Sequence, residues 1–333
     1  MWPPKAYSHD PKVATEAGDG GGKLSLMKTD TIRLRRTLLA ASFVALALPV
    51  AAQQVDFSKI EIKTNKIGNN FYTLDGNGGT IGVLSGPDGA FMVDSQFAPL
   101  TEKIVAAIKQ IQPDGRIRLM VNTHVHGDHT GGNENLGKLG VIIMSRPLLR
   151  DRLAKPAPGA NGQTPPAAPV LALPVITYDA PVTVHMNGED VELIPIPSAH
   201  TDGDTLVRFP KTDVIMTGDF YRSLGYPNID LNNGGSLRGM LAGLNKIVEL
   251  AGPNTKIIPG HGEIVTKTAV AAHRDVLVGV RDKVAALVKE GKTAPEVLAA
   301  KPTADFDAKV TGVGNTIERF VNQLYAEIKA GKS

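Results

Sequence analysis

Residues 123–132 read Thr-His-Val-His-Gly-Asp-His-Thr-Gly-Gly, directly behind the apolar run from Ile117 to Asn122. An apolar strand that gives way to so many ionisable groups cannot continue into a core, because each of them is costly to bury without a partner. The strand must reach the edge of its layer there, with the cluster in the loop beyond. His124, His126, Asp128 and His129 fall within six residues, more than a single ion easily takes. Gly127, Gly131 and Gly132 let the backbone turn tightly around a common centre. Imidazole with carboxylate is a ligand set for zinc or another first-row metal, and a His-X-His pair in extended chain places both rings on one side.

Three more ligand-type residues wait behind other strand-like runs: His200 in PSAHTDGD, Asp219 in MTGDF and His261 in PGHGE. The seven groups suffice for two ions if one carboxylate and one solvent molecule bridge them. A dinuclear site is therefore expected. Asp94, in FMVDSQ, also ends a strand, where it either orients a ligand histidine from behind or caps a turn. His9, His185 and His273 stand outside this pattern and read as structural.

The surrounding chain changes period twice. Phe71 to Val93 gives short β-type runs broken by glycine and the turn Gly86-Pro87-Asp88-Gly89, an antiparallel meander. Leu100 to Ile111 has Ile104, Ala107, Ile108 and Ile111 at helical spacing, and Ile117 to Asn122 is a buried strand, so strand, helix and strand form a parallel unit. The second half repeats the plan with a hairpin about Asn187-Gly188, strands over 205–209 and 214–217, a helix from Leu237 to Leu250 capped by Ser236, and a strand over 256–259. Residues 266–333 read as a C-terminal helical extension. Lys155 to Pro174 is rich in Pro, Ala and Gly and reads as a surface insertion or a flap beside a pocket.

Composition narrows the function. The chain has no cysteine, which excludes disulfides, thiolate nucleophiles and cysteine-held metal. Of its 36 Lys/Arg and 33 Asp/Glu, seven and four lie in the first 52 residues, so the remainder is neutral. That neutrality and an aromatic content of 5% offer no nucleic-acid surface. Residues 27–52 read as a signal peptide: Lys28, Arg33, Arg35 and Arg36, an apolar run from Leu38 to Val50, and cleavage after Ala52. The run is too short to span a bilayer. A periplasmic or secreted protein with no membrane attachment after cleavage is expected, preceded by a leader over 1–26 that Met27 could replace as the start.

The THVHGDHTGG motif followed in order by His200, Asp219 and PGHG resembles the metallo-β-lactamase superfamily, over most of residues 60–265. The resemblance implies an α/β fold, an αββα sandwich of two mixed β-sheets flanked by helices, occupying 53–265. It implies that His124, His126 and His200 hold a first Zn2+, that Asp128, His129 and His261 hold a second, and that Asp219 bridges; iron or manganese suits the same set. It further implies a hydrolase in which a hydroxide bridging the two metals attacks a cyclic amide or ester, with Asp128 as both ligand and orienting catalytic group. True class B β-lactamases carry Cys or Ser where this chain has Asp219, whereas the bridging Asp is typical of glyoxalase II and lactonases. A glyoxalase-II-like thioesterase and a non-hydrolytic metal-binding or redox module are the alternatives. The substrate is expected to be a small molecule. The stretch from Phe220 to Ser236 follows Asp219 and should border the cleft, which makes Tyr221, Tyr226, Asn232 and Asn233 candidate substrate contacts or mere loop formers.

Overall fold

Short apolar runs broken by glycine pair in sequence order into a seven-stranded sheet. Its strands are β1 (Lys63–Lys66), β2 (Phe71–Asp75), β3 (Ile81–Leu84), β4 (Ala90–Val93), β5 (Ile117–Val121), β6 (Ile142–Ser145) and β7 (Ile176–Thr177). The first four are antiparallel, and β4 through β7 are parallel. Parallel strands need crossovers. These are α1 (Thr101–Ile111) before β5, then α2 (Gly127–Thr130) and α3 (Asn133–Lys138) before β6, with α4 (Pro147–Ala154) after it. The computed structural model describes residues 55–112, 114–156, 158 and 163–331. The expected leader and signal peptide lie outside the described residues. No helix among the described residues is long and apolar enough to cross a membrane.

The second sheet holds β8 (Val182–Met186), β9 (Glu189–Ile196), β10 (Asp204–Phe209), β11 (Val214–Met216) and β12 (Lys256–Ile258), in reverse spatial order. β8 and β9 meet at Asn187 and Gly188, both with positive φ (53° and 75°), the conformation a tight two-residue hairpin demands. α5 (Leu237–Leu250) carries the chain from β11 to the parallel β12, and Ser236 caps it by accepting the Gly239 N–H at 3.0 Å. The chain ends in α6 (Lys267–Lys289), α7 (Ala294–Ala299) and α8 (Thr316–Lys329).

Side-chain alternation sorts these elements into four layers. In β4, Phe91 and Val93 point into the core between the sheets, against Val207, Phe209 and Met216 of the second sheet. Their neighbours Ala90 and Met92 face the other way, onto Ile104 and Ile108 of α1. The outer face of the second sheet, Leu206, Ile215 and Ile257, is covered by α5, α6 and α8. The fold is thus the expected helix–sheet–sheet–helix sandwich. Two of the last three helices pack onto α5: Val276, Val280, Phe320 and Leu324 share one core with Leu237, Met240 and Leu244. Glu327 of α8, 2% exposed, accepts the Leu237 N–H at 2.8 and 3.0 Å and so caps α5 from a neighbouring helix.

Candidate metal centre

The loops that leave β5, β9, β11 and β12 all open on one edge of the sandwich, and all seven expected ligands meet there. The histidine-rich segment is not plain loop. His126 is extended and starts α2, so Asp128 and His129 sit on a single helical turn. The ligand atoms of His124, His126 and His200 lie within 4.8 Å of one another, as do those of Asp128, His129 and His261, and those of His124, His129 and Asp219. Asp219 therefore stands between the two histidine groups. Its carboxylate is 3.4 Å from His129 Nε2, 3.4 Å from His261 Nε2 and 3.9 Å from His200 Nε2.

His124, His126, His129 and His200 are each tied through one ring nitrogen to an oxygen partner. The Asn228 carbonyl accepts from His200 Nδ1 at 2.6 Å, which commits the proton to Nδ1 and turns a lone pair at Nε2 toward the centre. Asp230 Oδ2 accepts from His126 Nε2 at 2.7 Å. His126 Nδ1 and His200 Nε2 face each other at 2.9 Å, a separation that a proton or a metal cation between them bridges. Thr123 donates to Asp94 at 2.6 Å and so accepts from His124 Nδ1 at 3.1 Å, while Asp94 Oδ2 also accepts from His129 Nδ1 at 2.7 Å. His124 Nε2, His129 Nε2 and Asp219 Oδ1 are then buried polar atoms without a hydrogen-bond partner. Buried acceptors converging in this way fit metal ions.

Glycine makes the room. A Cβ at Gly79 would lie 2.1 Å from the His129 ring, and one at Gly260 would lie 2.0 Å from Asp219 Oδ1. Gly131 and Gly132 serve space rather than turning: both have ordinary helical φ (−59° and −78°), but a Cβ on either would strike a backbone oxygen at 2.5–2.6 Å. The backbone that does bend is at Asp94, whose φ of 62° lets one carboxylate reach both Thr123 and His129. Asp94 thus holds the His129 ring from behind, the geometry that the first of its two expected roles requires.

Charge follows the geometry. Burial alone would raise the Asp219 carboxyl, but His129 and His261 outweigh it and hold it well below the usual carboxylate range. Burial also opposes protonation of His261, yet its bonds to Asp128 and Asp219 push it up to about 9. His200 goes the other way, down to about 4, through burial and the His126 charge. Asp204 accepts the His200 N–H at 2.6 Å, and burial pushes its carboxyl up to about 7.

A cavity of about 700 Å³ opens beside His126 and Asp230. Asn232 and Asn233 line it as expected, although Asn233 is already bonded to Asp230 and Arg152. The proline-rich insertion forms a wall through Pro156, Pro158, Pro165 and Pro166. Tyr221 and Tyr226 do not border the cleft. Both are core residues, 2% and 0% exposed: Tyr221 packs its ring on His273 at 5.4 Å, and Tyr226 stacks on Phe320 and donates to Asp307 at 2.9 Å. An aromatic ring gains more from that helix-lined core than from a wet cleft. Sequence reasoning missed Asp230, Asn228, Arg152, Arg319 and Gln323. Asp230 alone had a signal, a carboxylate inside the stretch already placed at the cleft, but its partner His126 is 104 residues away.

Comparison with known proteins gives the same picture. A metallo-beta-lactamase from Pontibacter korlensis matches 66% of this chain and 99% of its own at 19% identity, with a TM-score of 0.52. The DIM-1 metallo-beta-lactamase matches 66% of this chain and 99% of its own at 19% identity, TM-score 0.53. The stereoselective inverting sec-alkylsulfatase Pisa1 from Pseudomonas sp. matches 80% of this chain at 16% identity, TM-score 0.60, and this chain spans 50% of that structure. At such identities the likeness is one of fold. The model of the metallo-beta-lactamase superfamily matches residues 74–261, more than half of the sequence and all seven clustered ligand residues, and the chain belongs to that superfamily.

Proposed function

We propose that the chain is an exported hydrolase that holds two zinc ions and cleaves an activated amide or ester bond. The observation that carries this reading is the convergence of His124 Nε2, His129 Nε2 and Asp219 Oδ1, buried polar atoms without a hydrogen-bond partner, on one centre. Membership in the superfamily supports a metal-dependent hydrolase in general. When bound, the metal pair would supply a nucleophile from water near neutral pH and Lewis acidity toward the scissile group.

The chain's own residues do the positioning. His124, His126 and His200 would hold one ion, Asp128, His129 and His261 the other, and Asp219 reaches both sets. Asp94, Asp230 and the Asn228 carbonyl fix the rings by their far nitrogens, so no imidazole has to reorient during turnover. Asp128 lies at the wet side of the cluster, 24% exposed and 3.0 Å from His261 Nε2. Burial would raise its carboxyl, but the His261 bond and the His129 charge prevail, so it stays ionised and can orient an attacking water by accepting its hydrogen bond. The proline-walled cavity receives the rest of the substrate and keeps bulk water from it.

The test is a turnover screen of the chain with two equivalents of zinc, using a chromogenic cephalosporin, a lactone, an aryl ester, a glutathione thioester and a secondary alkyl sulfate. Hydrolysis of any of these, lost with chelator and restored by zinc, is the expected result. Metal uptake with no hydrolysis across the panel would leave a non-hydrolytic metal module as the reading.

A further inference from the structure

The cavity beside the metal centre holds one cationic side chain that the fold leaves largely free. Four ionisable side chains line it: His126, Arg152, Asp230 and Arg319. Asp230 is committed to His126 at 2.7 Å. Arg152 is committed to Asp202 through two bonds of 2.5 and 2.7 Å, with its Nη1 on Asn232 and Asn233. Arg319 makes one hydrogen bond, Nη2 to the Tyr226 carbonyl at 3.2 Å, and its Nε is buried with no partner. A guanidinium has five N–H donors and keeps its charge near neutral pH, so most of this one's capacity is unspent. Three residues beyond Asp219, Arg222 also has a buried Nε without a partner. Burial first, then repulsion from Arg222, lower the Arg319 pKa from its ordinary value against the pull of Asp219. An anion against Arg319 would offset that repulsion and take up donors the fold leaves open. The same cavity is also lined by Leu153, Val125, Leu231 and the prolines of the insertion, which are apolar.

We infer that Arg319 recognises the anionic head of an amphipathic substrate whose apolar body lies along the proline-rich wall. The residue comes from α8, beyond the residues 74–261 that the chain shares with the superfamily model, so this specificity belongs to the C-terminal helices. The inference rests on the hydrolase reading for the word substrate; the anion site itself does not need it. The head is an oxyanion, carboxylate or sulfate, which a guanidinium grips by paired N–H bonds.

The test is calorimetric binding of octanoate, octyl sulfate and octanol to the full chain, metal-free and zinc-loaded, with Arg319→Gln and Arg319→Lys beside the wild type. The inference predicts that both anions bind wild type about tenfold or more tighter than octanol, and that Arg319→Gln removes the difference in both metal states. Octanol affinity and thermal midpoint should stay put, and Arg319→Lys should recover part of the anion preference. A stronger effect for octanoate than for octyl sulfate would name a carboxylate head, and the reverse a sulfate. Equal affinity for anions and octanol, or an Arg319→Gln protein that still prefers the anions, overturns the inference. Hydrolysis of the anionic cephalosporin or alkyl sulfate of the turnover screen with no dependence on Arg319 would sink this inference and leave the hydrolase reading standing. Arg319-dependent anion binding with no ester, amide or thioester cleaved would do the opposite.

Discussion

His129 illustrates how much of a metal centre is built by residues that never touch metal. Its ring is aimed by Asp94 and fits only because Gly79 has no side chain, 2.1 Å from where a Cβ would stand. Gly79→Ala should therefore displace the ring and lower metal affinity at least tenfold, with the far-ultraviolet circular dichroism spectrum unchanged; metal content after gel filtration reads the first and the spectrum the second. Asp230→Asn weakens the hold on His126 Nε2 and should cost about 10–100-fold in metal affinity, measured by competition with a chromogenic chelator. A second histidine tests acid stability. His273 is pushed down to about 4 from 6.5 by burial against Tyr221. Below pH 6.5 the unfolded chain takes up a proton that the folded one refuses, so stability falls from there down to about pH 4. Urea unfolding at pH 7 and pH 5 should show a smaller loss in His273→Gln than in the wild type; equal losses would refute the assignment. The His and Asp residues that cluster here were legible in the sequence because each stands just past an apolar run. Asp230, Asn228 and the burial of the tyrosines were not, because their partners lie 28 to 104 residues away and no local pattern encodes them.

Among the elements, α5 was read from Leu237 to Leu250 and is found there, because Ser236 and a one-sided apolar stripe mark it locally. α8 was also read as a helix, but its purpose depends on what it packs against. Gln323 accepts the Ile229 N–H at 2.9 Å and donates to the Asn228 side chain at 2.7 Å, bracing the loop whose carbonyl orients His200. Glu327 caps α5 instead, accepting the Leu237 N–H. The two residues should separate in their effects. Glu327→Ala is expected to lower unfolding free energy by about 1–3 kcal/mol with metal affinity intact. Gln323→Ala should loosen metal binding with a smaller effect on stability. Chemical denaturation and chelator competition on the same samples decide it.

At the scale of the whole molecule, the twofold repetition of strands followed by a helix agrees with the two sheets and outer helices that the family resemblance implied. It does not foresee that two segments outside the repeat, the insertion after α4 and the helix α8, converge on one cavity beside the ligands. Their meeting is a property of the folded sandwich, in which both segments reach the edge where the loops after β5 and β11 emerge and line one cavity with them. The account therefore stands on the seven ligands acting together. The measurement that tests it most directly is metal content by mass spectrometry on the chain purified in the presence of zinc, compared with His126→Ala and His261→Ala. About two zinc ions per folded chain are predicted, with each variant losing at least one. A wild-type chain that retains less than about 0.1 equivalent, or variants that keep the full complement, would contradict it.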